Sequence, residues 1–479
     1  MTGVWPEALA WVGWRADDLA LVSEAIRVEF PGRAVFVAGL VAEEQRWGQV
    51  LRVLDEAGEL PGPAGVPGPA GVLGAQLRAG ALFELGDPGA EEAFARALGA
   101  ASGRDLGLVW LDLAYHRSRV RQDERAREAY AQALVWLRGD ASSSTLAYAN
   151  LGIACLRLND LGAAEFALRD AFQWAGRAGG ERHLSTVWRV SGGAGMQRSL
   201  PARALAAFER ARDTATSGPE RNMALRGMGR ALMAAGQFDR ALAVLFEALA
   251  EVPPGERHPL WLDVAVLHLL TGNAASARDG LGRAVTKSSS DGWRWQVTEA
   301  ELLRREGKPL PPDFLKPWPV DGNWVREEAW LFPELFALVG VEPVWARPRG
   351  VVVADGPIRL QLDGVVVPLA PHRHAASLLA FLVMNGGHST SERVLEALRL
   401  PGGSVRARKQ ELSRAVTELR DVLGWPDSVL TGGGLLRLTG DIDWEGMVYP
   451  PAERTDLFCE GRLDPWVLEW RQDNLSPLS

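Results

Sequence analysis

The sequence predicts a mostly α-helical chain, a solenoid of helix pairs followed by a small α+β domain. Two observations carry this reading. A small–bulky–small pattern recurs at near-constant spacing through much of the chain, and near residue 350 the texture changes to alternating strands and glycine-rich turns. The chain has 479 residues and a formal net charge of −8. That length suits about two or three domains.

The recurring pattern is Ala, three residues, a bulky residue, two residues, Ala. It appears as Ala90-Phe94-Ala97, Ala126-Tyr130-Ala133, Ala164-Leu168-Ala171, Ala204-Phe208-Ala211, Ala241-Leu245-Ala248 and Ala277-Leu281-Ala284. Successive starts lie 36, 38, 40, 37 and 36 residues apart. Val50-Leu54-Ala57 reads as a degenerate further copy. The outer two residues of each triplet lie on one helix face, about two turns apart. Alanine there lets a neighbouring helix approach closely, and the bulky residue fills the space between. Each triplet follows a second helical stretch that ends in a turn, as in "NMALRGMGRALMAAGQFDRALAVLFEALAEVPPG". There Gly229 is small where two helices cross, Gly236 ends the first helix and Pro253 closes the second. The stretch "HLSTVWRVSGGAGMQRSLPARALAAF" departs most, with a glycine-rich first helix.

In its small and bulky signature positions, about residues 75–290 resemble the tetratricopeptide repeat. That resemblance implies a curved array whose first helices line a concave surface. In that register Tyr115, Arg189, Arg226 and Arg230 face the groove, and three arginines there suit an acidic peptide or an anionic ligand. The array would take up a protein or small-ligand partner, or form an oligomer such as a homodimer.

Before the array, "PGPAGVPGPAGVLG" places glycine at every third position from Gly62 to Gly74 and reads as a flexible connector. After it, the prolines and tryptophans of "PLPPDFLKPWPVDGNW" read as an irregular linker, so the array should end near residue 308. From residue 350, "IRLQLDGVVVPL" carries Asp363-Gly364 between two strand-like runs, a hairpin signal. "PHRHAASLLAFLVMNGG" has helical spacing and ends at Gly386-Gly387. "TSERVLEALRLPGG" opens with a capping Thr390 or Ser391. "SVRARKQELSRAVTELRDVLG" follows as a third helix, and "DSVLTGGGLLRLTG" gives two short strands about a triple glycine.

Strands, three helices and a hairpin, in that order, make a winged helix-turn-helix. The details resemble the DNA-binding domain of the OmpR type, especially in the SARP activators of actinobacteria. The matching residues are Leu378-Leu379, Asn385-Gly386-Gly387, Ser391-Glu392, Leu412, Val416, Leu419-Arg420 and Leu423-Gly424, over about ninety residues. Glu418 and Asp421 stand where that family usually has arginine, and the helical repeats precede the winged helix instead of following it. The resemblance implies a bacterial transcription regulator that binds double-stranded promoter DNA, with RNA polymerase as a further partner.

The third helix supports this by its own pattern. Leu412, Ala415, Val416, Leu419 and Leu423 make an inward stripe. Arg406, Lys409, Gln410, Ser413, Arg414, Thr417 and Arg420 are the candidate DNA contacts, with Arg437 in the wing. Arginine suits guanine and phosphate, glutamine suits adenine, and hydroxyls suit either. The positive charge fits phosphate contact.

The expected organisation is a helical segment with connector at 1–74, repeats at 75–308, a linker at 309–349, the winged helix at 350–445 and a tail at 446–479. The tail resembles the start of the activation domain of the same regulators. The sequence lacks HExxH, a Walker lysine loop and GxSxG, so no enzyme is expected. His372 and His374 are too few ligands for a metal site, Cys155 and Cys459 suggest neither disulfide nor zinc, and no cofactor is expected. No apolar run reaches the ~20 residues that span a bilayer, and no signal peptide is recognisable, which points to the cytoplasm. The other function these residues allow is a protein-interaction scaffold whose winged helix no longer binds DNA.

Overall fold

The computed structural model describes residues 69–254, 257–284, 289–310, 328–338, 347–367 and 372–474, with a few isolated positions besides. The degenerate first triplet, most of the connector and much of the linker lie outside the described residues.

Twelve helices alternate with short turns: α1 (Pro69–Glu84), α2 (Ala90–Ala100), α3 (Gly103–Arg119), α4 (Asp123–Trp136), α5 (Ala141–Arg157), α6 (Leu161–Ala175), α7 (Leu184–Gln197), α8 (Pro201–Asp213), α9 (Gly218–Ala234), α10 (Phe238–Glu251), α11 (His258–Leu270) and α12 (Ala274–Arg283). Helix α13 (Ser289–Arg305) and the short α14 (Pro333–Ala337) follow. Every residue of the six alanine triplets is at most 6 % exposed, and each triplet lies on the second helix of its pair. This is a tetratricopeptide-like array of helix hairpins. By its contacts the chain falls into two units. One holds the described residues up to Cys155 with Gln173–Glu181; the other holds Leu156–Phe172 and the described residues from Arg182 on.

The glycine-rich α7 has a packing reason. A Cβ on Gly192 of α7 or Gly227 of α9 would lie 2.5 Å from the Phe208 ring on α8. Both flanking helices therefore give up a side chain so that one phenylalanine can fill the gap. Gly229 does the same for Leu245, 2.7 Å from where its Cβ would be. Ala241 is fully buried. Ala241→Leu should overpack this crossing and cost about 1–3 kcal/mol, read as a lower Tm in calorimetry.

The second unit also holds a small α+β domain. One sheet has the order β3-β2-β1-β7: β1 (Arg349–Val353), β2 (Arg359–Leu362) and β3 (Val365–Val367) run antiparallel, and β7 (Asp443–Val448) adds to β1 in parallel. The β2–β3 turn takes φ of 49° at Asp363 and 79° at Gly364, as the Asp-Gly signal requires. The other sheet, β4-β6-β5, joins β4 (His388–Thr390) to the hairpin of β5 (Val429–Gly432) and β6 (Leu435–Leu438), the segment expected as the wing. Helices α15 (Arg373–Met384), α16 (Ser391–Ala397) and α17 (Val405–Leu423) stand against them, and α18 (Pro465–Asp473) closes the chain.

Three expected boundaries move. Helix α1 starts at Pro69, inside the expected connector. Around α14, Phe332, Leu335 and Phe336 are buried in the same core as α13, so this part of the linker packs on the array. The tail belongs to the small α+β domain: β7 crosses the 445/446 boundary, and Phe458, Cys459, Trp466 and Val467 are buried in that domain's core. Asp464 fixes the tail by accepting from the Ser377 hydroxyl (2.7 Å) and the Arg399 backbone N–H (2.8 Å).

The repeats also enter this core. Leu200, between α7 and α8, is fully buried among the residues of the α+β domain, and Ala202 and Ala206 pack against them. Arg198 has no exposed side-chain surface. Its guanidinium donates to both Glu165 carboxylate oxygens at 2.7 Å and to the Leu362 carbonyl at 2.9 Å.

Candidate nucleic-acid interface

Helix α17 is shaped at both ends by its sequence. The Ser404 hydroxyl caps its start by accepting from the Ala407 N–H (3.2 Å). Gly424 ends it at φ 101°, in the left-handed region, and a Cβ there would meet Arg203 of α8 at 2.7 Å. Leu412, Ala415, Val416, Leu419 and Leu423 are its buried residues, the stripe expected from the sequence.

The opposite stripe is open. Arg406, Lys409, Gln410, Ser413, Arg414 and Thr417 are all exposed. Arg414 is partly committed, with its guanidinium 2.8 Å from Glu411. Thr417 donates to the Ser413 carbonyl (3.0 Å), which leaves its oxygen free to accept. Beside this stripe lies a cleft of about 580 Å³ between α17, the start of α16 and the wing. Lys409 and Ser413 line it from α17, and Gly433 and Gly434 from the wing tip, where φ of 57° and 79° makes the tight turn.

Of the two other candidate contacts, Arg420 also lines the cleft and Arg437 does not. Arg420 is turned to the wing: its Nε and Nη2 donate to the Val429 carbonyl at 3.0 and 2.6 Å, and Nη2 also to Thr431 Oγ1 at 3.3 Å. It fixes the angle between helix and wing. Arg437 is exposed on β6, but the strand alternates, and it is the buried Leu436 that lines the cleft. Arg437 therefore lies on the wing's other face, opposite His388 and Leu430.

The two acids are engaged within the chain. Glu418 Oε2 lies 3.8 Å from His372 Nδ1. Asp421 Oδ1 lies 3.8 Å from Arg210 on α8, whose guanidinium stacks on Trp188 at 4.6 Å. The sequence shows these acids as departures from a pattern; their partners come from distant segments.

The expected groove arginines are not a free cationic surface. Arg226 Nε donates to Asp263 Oδ2 at 2.6 Å. The other oxygen of Asp263 meets the fully buried Arg294 at 2.8 Å, and Arg294 meets Glu328 at 2.6 Å. Burial pushes the Asp263 carboxyl up, but Arg226, Arg294 and Arg230 together overcome it and hold it down to about 2. Arg189, on α7, is half-buried; burial, and then the like charge of Arg157, lower its guanidinium from the ordinary range. Tyr115, on α3, belongs to the other unit; it is 42 % exposed and meets the His116 ring edge-on.

No protein-family model matches the chain, and no curated protein matches it. Solved structures do. BtubC from P. vanneervenii aligns at 21 % identity over 46 % of this chain and 91 % of its own, with a TM-score of 0.36. A tetratricopeptide repeat protein from Parabacteroides merdae aligns at 12 % identity over 56 % of this chain and 98 % of its own, with a TM-score of 0.42. The apo form of RapI aligns at 10 % identity over 82 % of this chain and 99 % of its own, with a TM-score of 0.43. Among the described residues, no helix is long and apolar enough to cross a membrane.

Proposed function

We propose that this chain is a cytoplasmic transcription regulator. Its α17 and wing bind double-stranded promoter DNA, and its array takes up a protein or small-ligand partner or mediates self-association. One observation carries the reading. A single helix buries its whole apolar stripe and presents Arg406, Lys409, Gln410, Ser413, Arg414 and Thr417 to solvent, beside a glycine-tipped wing. These groups are the donors and acceptors that read base edges and phosphates in a major groove. RNA polymerase is the further partner that the OmpR-type resemblance implies. The reading assigns the chain no catalytic role.

Fluorescence anisotropy on a DNA fragment selected from the genome tests it. Arg406→Ala should weaken binding to that fragment by about 1–3 kcal/mol and relax the preference at one base position. Lys409→Ala should weaken all sequences alike and lower the salt slope by about one unit. Equal binding by both variants and the parent chain at every salt concentration would contradict the assignment. The scaffold reading draws on Asp421 and Glu418. Both are turned to partners within the chain, so the C-terminal half of α17 is acidic and engaged.

A further inference from the structure

A second cavity of the winged-helix domain, of about 440 Å³, lies between α15, α16 and α18 and shares no lining residue with α17. Its walls are aromatic: Phe381, Trp466 and Trp470 line it. They are held in place. Trp466 meets Phe381 and Phe458 edge-on at 5.9 and 5.7 Å, and Trp470 stacks on Phe458 at 3.8 Å. Trp466 is 4 % exposed, and its indole Nε1–H finds no acceptor among the described residues.

The rim is charged. Glu396, Glu469 and Asp473 stand there against the single guanidinium of Arg393. All are exposed, and none joins an ion pair among the described residues. A cavity of this size with rigid apolar walls and a few polar groups is the usual form of a small-molecule site. Here the excess of carboxylate selects the sign of the occupant.

We propose that this cavity binds a small organic cation. Its apolar body lies against Phe381, Trp466 and Trp470, and its ammonium or guanidinium group lies at Glu469, Asp473 and Glu396. The walls contribute burial of apolar surface. The rim contributes hydrogen bonds between opposite charges, which an uncharged analogue of the same shape cannot make. The site does not depend on α17 binding DNA.

Titration calorimetry on the intact chain tests the proposal with three probes of one shape: 4-phenylbutylamine, which is protonated at neutral pH, 4-phenylbutanol and 4-phenylbutyrate. The amine should bind with one-to-one stoichiometry, at least about tenfold tighter than the alcohol, and the carboxylate should not bind. The E469Q/D473N double variant changes only exposed groups and should keep the parent Tm while losing the preference for the amine. In a chain labelled with ¹⁵N at its indoles, the Trp466 and Trp470 resonances should shift with the amine. No binding of the amine, equal binding of amine and alcohol, or a preference that survives in the double variant would each overturn the proposal.

Discussion

Asp263→Ala is expected to destabilise the second unit by about 3–5 kcal/mol, a fall in Tm on the order of 10 °C by calorimetry. Asp263 and Arg294 are both fully buried, and Arg294 lies between Asp263 and Glu328. Removing Asp263 leaves the guanidinium of Arg294 with half its counter-charge and no access to water. Arg226, 24 % exposed, can turn outward and loses less. The pH dependence has a fixed sign. The Asp263 carboxyl is held down to about 2 from an ordinary 3.8, so its contribution is complete above the unfolded value and is lost as the pH falls toward the folded one. In the parent chain about 2 kcal/mol should disappear between roughly pH 4 and pH 2. Asp263→Asn should lack this component. A parent and an Asp263→Asn chain with the same acid-unfolding profile would show that the carboxylate is not ionised in the fold.

Arg198→Ala is expected to cost a similar amount, about 3–5 kcal/mol, and to loosen the small α+β domain from α7 and α8. The loss leaves Glu165, among the described residues, with Arg203 at 3.6 Å, and the Leu362 carbonyl without this donor. Arg198→Lys should not restore the contact, because an ammonium cannot donate in parallel to two carboxylate oxygens while reaching a carbonyl on a different side. Limited proteolysis should then cut between the repeats and the winged-helix domain sooner than in the parent chain. Cleavage at the parent rate, with an unchanged Tm, would mean that Leu200 and its apolar neighbours hold the contact alone.

Much of this was legible in the sequence because it is local or periodic. The alanine triplets mark the second helix of each pair, and all of them are buried. Asp363-Gly364 and the triple glycine mark two hairpin turns by their backbone requirement alone, and the stripe of α17 follows from spacing. What the sequence hid depends on partners far along the chain. Arg420 looks like a DNA contact until Val429 and Thr431 fold back beside it. Arg226 looks free until Asp263 comes from the next pair of helices. Strand β7 is interrupted by Gly446 at φ 112°, so its pairing with β1 leaves little pattern, and the tail read as a separate element. The entry of Leu200 into the winged-helix core has no signal beyond one leucine before Pro201.

That last contact determines the protein to use. Residues 345–479 alone would lack Leu200, Arg198 and the Arg210 partner of Asp421. The most direct measurement is therefore the recovery and sequencing of genomic DNA fragments bound by the intact chain at low salt, beside a chain carrying Arg406→Ala, Lys409→Ala and Arg414→Ala together. The account predicts enrichment of a defined set of promoter fragments by the parent chain and its loss in the triple variant at unchanged Tm. No fragment above background for the parent chain, or the same set recovered by the triple variant, would contradict the assignment of α17 as the DNA-reading helix.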